Sequence, residues 1–304
     1  MSEFDEDRRG LEPGQWWVIA LAIAFSVGAL LYRLLLHQHL GQTSALFMGI
    51  PAVLAILLAL TPKAETVTGG IVKGITLALL IIAPLQGEGY LCILLAAPLF
   101  YFVGVLIGLA ADWRREHRNG TLSCVAIVLL PLCLEGVLPQ LTWNRSQTVE
   151  VTKTIEALPD EVEEALAQSP RIDTPLPHYL RIGFPRPLEA HGDGLTVDAT
   201  RTIHFAGAEG DPPGDLVMRI AEHHPGFVRF ETISDASKLT QWLRWNSSEV
   251  MWKQIDATHT QVVWRVHFQR QLDPAWYFTP WERAAVHEAA SYLIAANATP
   301  SEKK

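Results

Sequence analysis

Charge and cysteine are both scarce in this chain, and both are unevenly placed. Of 304 residues only 18% are charged, and residues 15–140 hold few of them. The three cysteines, Cys92, Cys124 and Cys133, all fall in the first half. The second half therefore has no disulfide framework and no thiolate metal site, and suits an oxidising or a reducing compartment. Excess positive charge is also missing. A net charge of −8 leaves no basic footprint, which argues against a nucleic-acid partner. No G-x-S-x-G elbow, P-loop or G-x-G-x-x-G fingerprint occurs, so these nucleophile and phosphate signatures are excluded. The second half is rich in histidine, yet no pair has H-E-x-x-H spacing. Glu222-His223-His224 is a poor chelate, because successive residues of a strand point to opposite faces. Neither metal nor cofactor is expected.

What is present divides near Trp143. The first half contains five apolar stretches: Trp16–Leu36, Ser44–Leu60, Thr66–Pro84, Tyr90–Ala111 and Thr121–Leu138. Each is about 17 to 22 residues, enough for a helix to cross about 30 Å of hydrocarbon. Trp16, Trp17, Tyr32, Tyr90 and Trp113 lie near their ends, where amphipathic rings favour the interface. The first stretch is too long for a signal-peptide core, and its leader is more acidic than basic, so it reads as a retained helix. Arg8 and Arg9, Lys63, and the arginines of 112–118 mark alternate links, whereas 37–42 and 86–89 carry no lysine or arginine. That alternation predicts a cytoplasmic N-terminus, five crossings and an extracytoplasmic C-terminal domain. Pro131 and Glu135 weaken the fifth stretch, and a re-entrant fifth segment would reverse the side. Lys73 reads as a snorkelling side chain or as a functional intramembrane charge.

The second half alternates as a soluble α+β domain does. Val149, Val151 and Ile155 share one face of a first strand. Pro159 and the acids after it mark a helix start, and a proline-rich region runs over 174–187. Period-two patterns follow at 195–205, 216–220 and 227–233. A long hairpin spans 242–270 with its turn at Asp256–His259, and Gly192-Asp193-Gly194 reads as another turn. A final helix over Pro280–Asn297 has a broad face built largely of alanine. The predicted parts are a tail (1–14), a five-helix transmembrane bundle (15–140), an α+β domain (145–298) and a short tail (299–304).

The segments Thr148-Val-Glu-Val-Thr-Lys-Thr-Ile155, Trp252-Lys-Gln-Ile-Asp-Ala-Thr-His-Thr-Gln-Val-Val-Trp-Arg-Val266 and Leu272-Asp-Pro-Ala-Trp-Tyr277 carry a resemblance. In this order they resemble the SRPBCC superfamily, the START-like and polyketide cyclase-like helix-grip domains. The resemblance covers about half of the chain. It implies a curved antiparallel sheet gripping the last helix, with an apolar cavity between them for a lipid, polyketide or other hydrophobic ligand. It carries no universal catalytic residue.

Parity sets Arg201 on the face of Leu195, Val197, Ile203 and Phe205, where it would anchor an anionic headgroup, or else serve as a rim or structural cation. Trp252, Trp264, Ala285, Glu288 and Tyr292 are the other expected lining residues. The leading expectation is a membrane-tethered binding module. Its partners would be the lipid bilayer, a hydrophobic small molecule or lipid, and another membrane protein. The alternatives are a cyclase or isomerase with His204 or Glu288 turned inward as acid or base, and an assembly scaffold. The run Trp276-Tyr277-Phe278 suits core packing, a pocket lip or the bilayer surface.

Overall fold

The computed structural model describes residues 64–86, 90–117, 135–172, 175–207 and 212–300. The chain divides into two compact units, Met1–Leu129 and Leu130–Lys304.

In the first unit the described residues form two helices, α1 (Val67–Gln86) and α2 (Tyr90–His117). Asp112 near the end of α2 accepts hydrogen bonds from the amides of Val67 (2.8 Å) and Thr68 (3.0 Å) and from the Thr68 hydroxyl (2.6 Å). A carboxylate at the N-terminus of α1 satisfies donors that have no partner within the helix and opposes its dipole. Gly108 lies against the Thr68 backbone too closely to admit a methyl group, and Gly104 faces the end of the Ile75 side chain. Thr76 and Tyr101 share a 2.8 Å hydrogen bond.

The expected five-helix bundle is not what the described residues form. They hold these two helices, and only Leu95–Trp113 is long and apolar enough to cross a membrane. The 112–118 segment, expected as a link, is helical as far as His117. The stretches Trp16–Leu36 and Ser44–Leu60, the 1–14 tail, Lys63 and most of Thr121–Leu138 lie outside the described residues. The end of Thr121–Leu138 is not helical: Glu135–Val137 is a turn, and Pro139–Leu141 is a single 3-10 turn.

The second unit holds seven strands: β1 (Ser146–Ile155), β2 (Pro187–His191), β3 (Thr200–Phe205), β4 (Gly214–His224), β5 (Phe227–Asp235), β6 (Leu243–Gln254) and β7 (Thr260–Arg270). Helix α3 (Pro159–Ala167) follows β1, and α4 (Ala275–Leu293) follows β7 and runs into a π turn, Ile294–Ala298. All neighbouring strands are antiparallel, in the order β1-β7-β6-β5-β4-β3-β2. The sheet is curved, and α4 lies against β1 and β7. This is the α+β architecture expected of the second half.

Alternation builds the core. On β7, Val262, Trp264, Val266 and Phe268 point inward between half-exposed neighbours, and β1 contributes Val149, Val151 and Ile155. On β6 the register slips between Trp245 and Ser247, so Trp245 and Ser248 are both buried although three residues apart. A bulge of this kind bends the strand and shifts its inward parity. The β6–β7 turn is held by Asp256, which accepts from the amides of Thr258 (2.9 Å) and His259 (2.8 Å).

Two boundaries differ from the sequence expectation. The alternation at 195–205 forms a strand only from Thr200, because Val197-Asp198 makes a turn with Asp198 at φ 69° and Val197 exposed. Helix α4 starts at Ala275, five residues before Pro280. Its first amide, on Ala275, donates to Glu135 Oε2 at 3.1 Å, so a carboxylate distant in sequence supplies the cap that the local residues lack.

Candidate functional site

Between the inner face of the sheet and α4 lies a cavity of about 120 Å³. Ile203, Leu216, Phe230, Trp245 and Trp264 line it from five successive strands of the curve, β3 to β7. Ala285, Ala289 and Ala296 line it from the helical side. These small residues leave space that larger side chains would fill. The third wall comes from the proline-rich segment, through Leu176, Leu180, Phe184 and Pro185. Phe184 meets the Trp242 ring edge-on at 5.3 Å and Tyr179 at 5.7 Å, which fastens that segment to the domain.

Few polar groups reach this space. Arg201 is 3% exposed. Its Nη2 donates to the carbonyls of Leu166, at the end of α3, and of Gly194 (3.3 Å). Its guanidinium lies 5.1 Å from the Phe230 ring centre, a cation–π distance. Burial pushes Arg201 down to about 10, and the charge of Asp193 opposes that shift, so the side chain stays cationic at neutral pH. Its Nε has no acceptor among the described residues. The same holds for a partner to Trp264 Nε1 and to Asn297 Oδ1, both on cavity-lining residues. Buried polar atoms are normally bonded, so three such atoms around one cavity mark a place for a polar ligand atom or an ordered water. Ser248 is already engaged, its Oγ accepting from Trp245 Nε1 at 3.0 Å.

The six residues expected to line a cavity separate into two groups. Arg201, Trp264, Ala285 and Tyr292 line it. Trp252 sits instead in the packed core, 5% exposed, beyond the cavity along β6. Glu288 points to the surface beside His287, 3.7 Å away, because its position on α4 faces away from the sheet. His204 is also outside, paired with Asp215 at 2.6 Å on the outer face of β3. Sequence reasoning missed Asn297, Ser248 and the proline-rich wall. Asn297 stood out only as a single amide among the alanines of 294–298. It is turned inward by the π turn, which shifts the helical phase.

A second buried polar centre lies at the opening of α4. Arg270 is fully buried. It binds Glu135 Oε1 (3.0 Å), Asp273, and the carbonyls of Trp143 (2.8 Å) and Leu272 (2.9 Å). Glu135 is therefore a structural partner inside the second unit and not a charge within a bilayer helix. Glu282, on the first turns of α4, accepts from the amides of Gln271 and Leu272, both at 3.3 Å. Burial pushes Glu282 up to about 7 despite these bonds. Among the described residues no cluster of three histidine, cysteine or carboxylate side chains is placed to hold a metal ion.

No family model matches the chain, and no curated protein matches it. Among solved structures it is similar to the ZhuI aromatase/cyclase from Streptomyces sp. R1128. The identity is 18%, over 50% of this chain and 91% of that one, with a TM-score of 0.34. It is similar to norcoclaurine synthase from Thalictrum flavum at 14% identity, over 52% and 96%, with a TM-score of 0.34. It is also similar to major latex-like protein 151 from Panax ginseng at 10% identity, over 50% and 99%, with a TM-score of 0.30.

Proposed function

We propose that the second unit is a START-like binding module for a small hydrophobic ligand that carries an oxygen function, and that the first half tethers it to a membrane. The observation that carries this reading is an apolar cavity with a buried cation, Arg201, whose Nε has no acceptor among the described residues. The apolar walls would supply affinity at roughly 25 cal/mol per Å² of ligand surface buried. Arg201, Trp264 and Asn297 would fix the ligand's orientation. About 120 Å³ compares with the roughly 150 Å³ engineered cavity that takes up benzene. A ring-sized ligand, or one end of a lipid, suits that volume, and a whole lipid needs the proline-rich wall to move outward. Binding is favoured over acid–base catalysis because His204 and Glu288, the two acid–base candidates, lie outside the cavity.

Tethering rests on Leu95–Trp113 and on the apolar texture of the first half. It would shorten the aqueous path of a poorly soluble ligand. The test is native mass spectrometry of the full chain, with organic extraction of whatever co-purifies. A stoichiometric hydrophobic ligand is expected. It should be lost on Ala285→Trp, which fills the cavity, and weakened on Arg201→Lys, which keeps the charge but not the fork of donors. Binding that survives Ala285→Trp unchanged would place the ligand elsewhere and overturn the reading.

A further inference from the structure

The second unit carries an unusual surface at one end of its sheet. Trp143 is 62% exposed, and Trp276 and Trp281 are about 40% exposed. Val137, Leu138 and Leu141, just before Trp143 in the chain, are exposed as well. Trp143 and Trp276 border one open groove of about 550 Å³, which Arg283 also lines. Tyr277 links Trp276 (5.7 Å) to Trp281 (6.5 Å). Soluble domains rarely show so many large apolar side chains together unless something covers them.

The chain itself points to what covers them. Residues 121–134, immediately before Glu135, contain no charged side chain. The chain enters the domain at Glu135, and that entry point is fixed. Glu135 is held by the fully buried Arg270 and by the first amide of α4. Arg145 adds a 2.5 Å pair to Asp273 on the same loop. The uncharged segment therefore joins the domain at a point held by buried ion pairs, a few residues before Trp143 in the chain. Tryptophan is the side chain that concentrates at the headgroup level of bilayers. Arg283 supplies a cation at the groove. It donates to Gln147 and to the Thr148 carbonyl and has no carboxylate partner among the described residues, which suits a phosphate.

We propose that the face of Trp143, Trp276 and Trp281 docks onto the headgroup region of a phospholipid bilayer. The same face adjoins the cavity wall, because the Tyr179 hydroxyl donates to the Trp281 carbonyl at 3.2 Å. A ligand leaving the membrane would thus meet the wall of Leu180 and Phe184 first. The docking surface rests on the tethering part of the proposed function but not on what the cavity holds, so an empty cavity would leave it standing.

The test is site-specific photo-crosslinking of the full chain in vesicles of equal parts phosphatidylcholine and phosphatidylglycerol. Trp143→p-benzoylphenylalanine and Trp276→p-benzoylphenylalanine place the probe on the face. Ile255→p-benzoylphenylalanine places it at the far end of the sheet, where an equally exposed apolar residue flanks the β6–β7 turn. Phospholipid adducts at 143 and 276 with none at 255 are the expected result. Adducts to protein at 143 and 276, equal lipid adducts at all three positions, or no lipid adduct at 143 and 276 would each overturn it. Arg283→Gln should lower the phosphatidylglycerol share of the adducts, and an unchanged share would remove Arg283 from the site.

Discussion

Glu282 shows how one buried side chain sets a pH dependence. Its carboxyl is lifted from the ordinary 4.5 to about 7, so the folded domain holds this proton more tightly than the unfolded chain does. The contribution to stability is complete below the unfolded value and is lost as pH rises through about 7. The denaturant midpoint of the second unit, followed by tryptophan fluorescence, should fall across this interval. Glu282→Gln, which imitates the protonated form, should flatten the dependence. A midpoint equally steep in the variant would assign the slope to another group. At this scale legibility was uneven. Arg201 was readable because strand parity alone carries a cation to the inner face. Glu288 was misread because helical spacing defines a face but not the sheet it meets. Glu135 looked like a bilayer charge because its partner, Arg270, is 135 positions away and no local pattern announces the pair.

Among elements, the strands were the most legible. β7 alternates without interruption, and its inward set could be named from period two alone. β6 could not be read that way throughout, since the slip between Trp245 and Ser247 changes parity without a glycine or proline to mark it. The start of α4 was hidden for a related reason. Pro280 resembles a first-turn proline, while the true start is capped from the entry loop by Glu135. That loop depends on Gly136, whose φ is +80° and whose missing side chain leaves room for the Asp273 carboxylate. Gly136→Ala should cost at least about 1 kcal/mol from backbone strain alone. Hydrogen exchange of the full chain should show the loss as faster exchange in the first turn of α4. Unchanged exchange there would mean that the cap does not hold the helix start.

At the scale of the whole molecule, texture placed a break near Trp143, and the two compact units meet at Leu129 and Leu130. The count of crossings was less legible. Hydropathy measures how apolar a run is, but not where the helix inside it begins and ends, and α2 runs on through the charged residues that follow Ala111 as far as His117. Tethering through the first half makes a direct prediction. The full chain should stay with the membrane pellet through alkaline carbonate extraction. Release of the unaltered chain by carbonate would remove the tether from the proposed function.

The pairing of β1 with β7 also bears on synthesis. Among the described strands β1 leaves the ribosome first and sits at the edge of the finished sheet, with β7 as its one strand neighbour. Ser146 finds its partner only when Gln269 has been made, roughly ten seconds later at ordinary elongation rates. Until then an unpaired strand waits beside the uncharged segment 121–134, and its open hydrogen-bonding edge is a template for aggregation. A nascent chain arrested before Thr260 should therefore be the sticky species, and chaperone or insertase occupancy should peak in that interval and fall once β7 emerges.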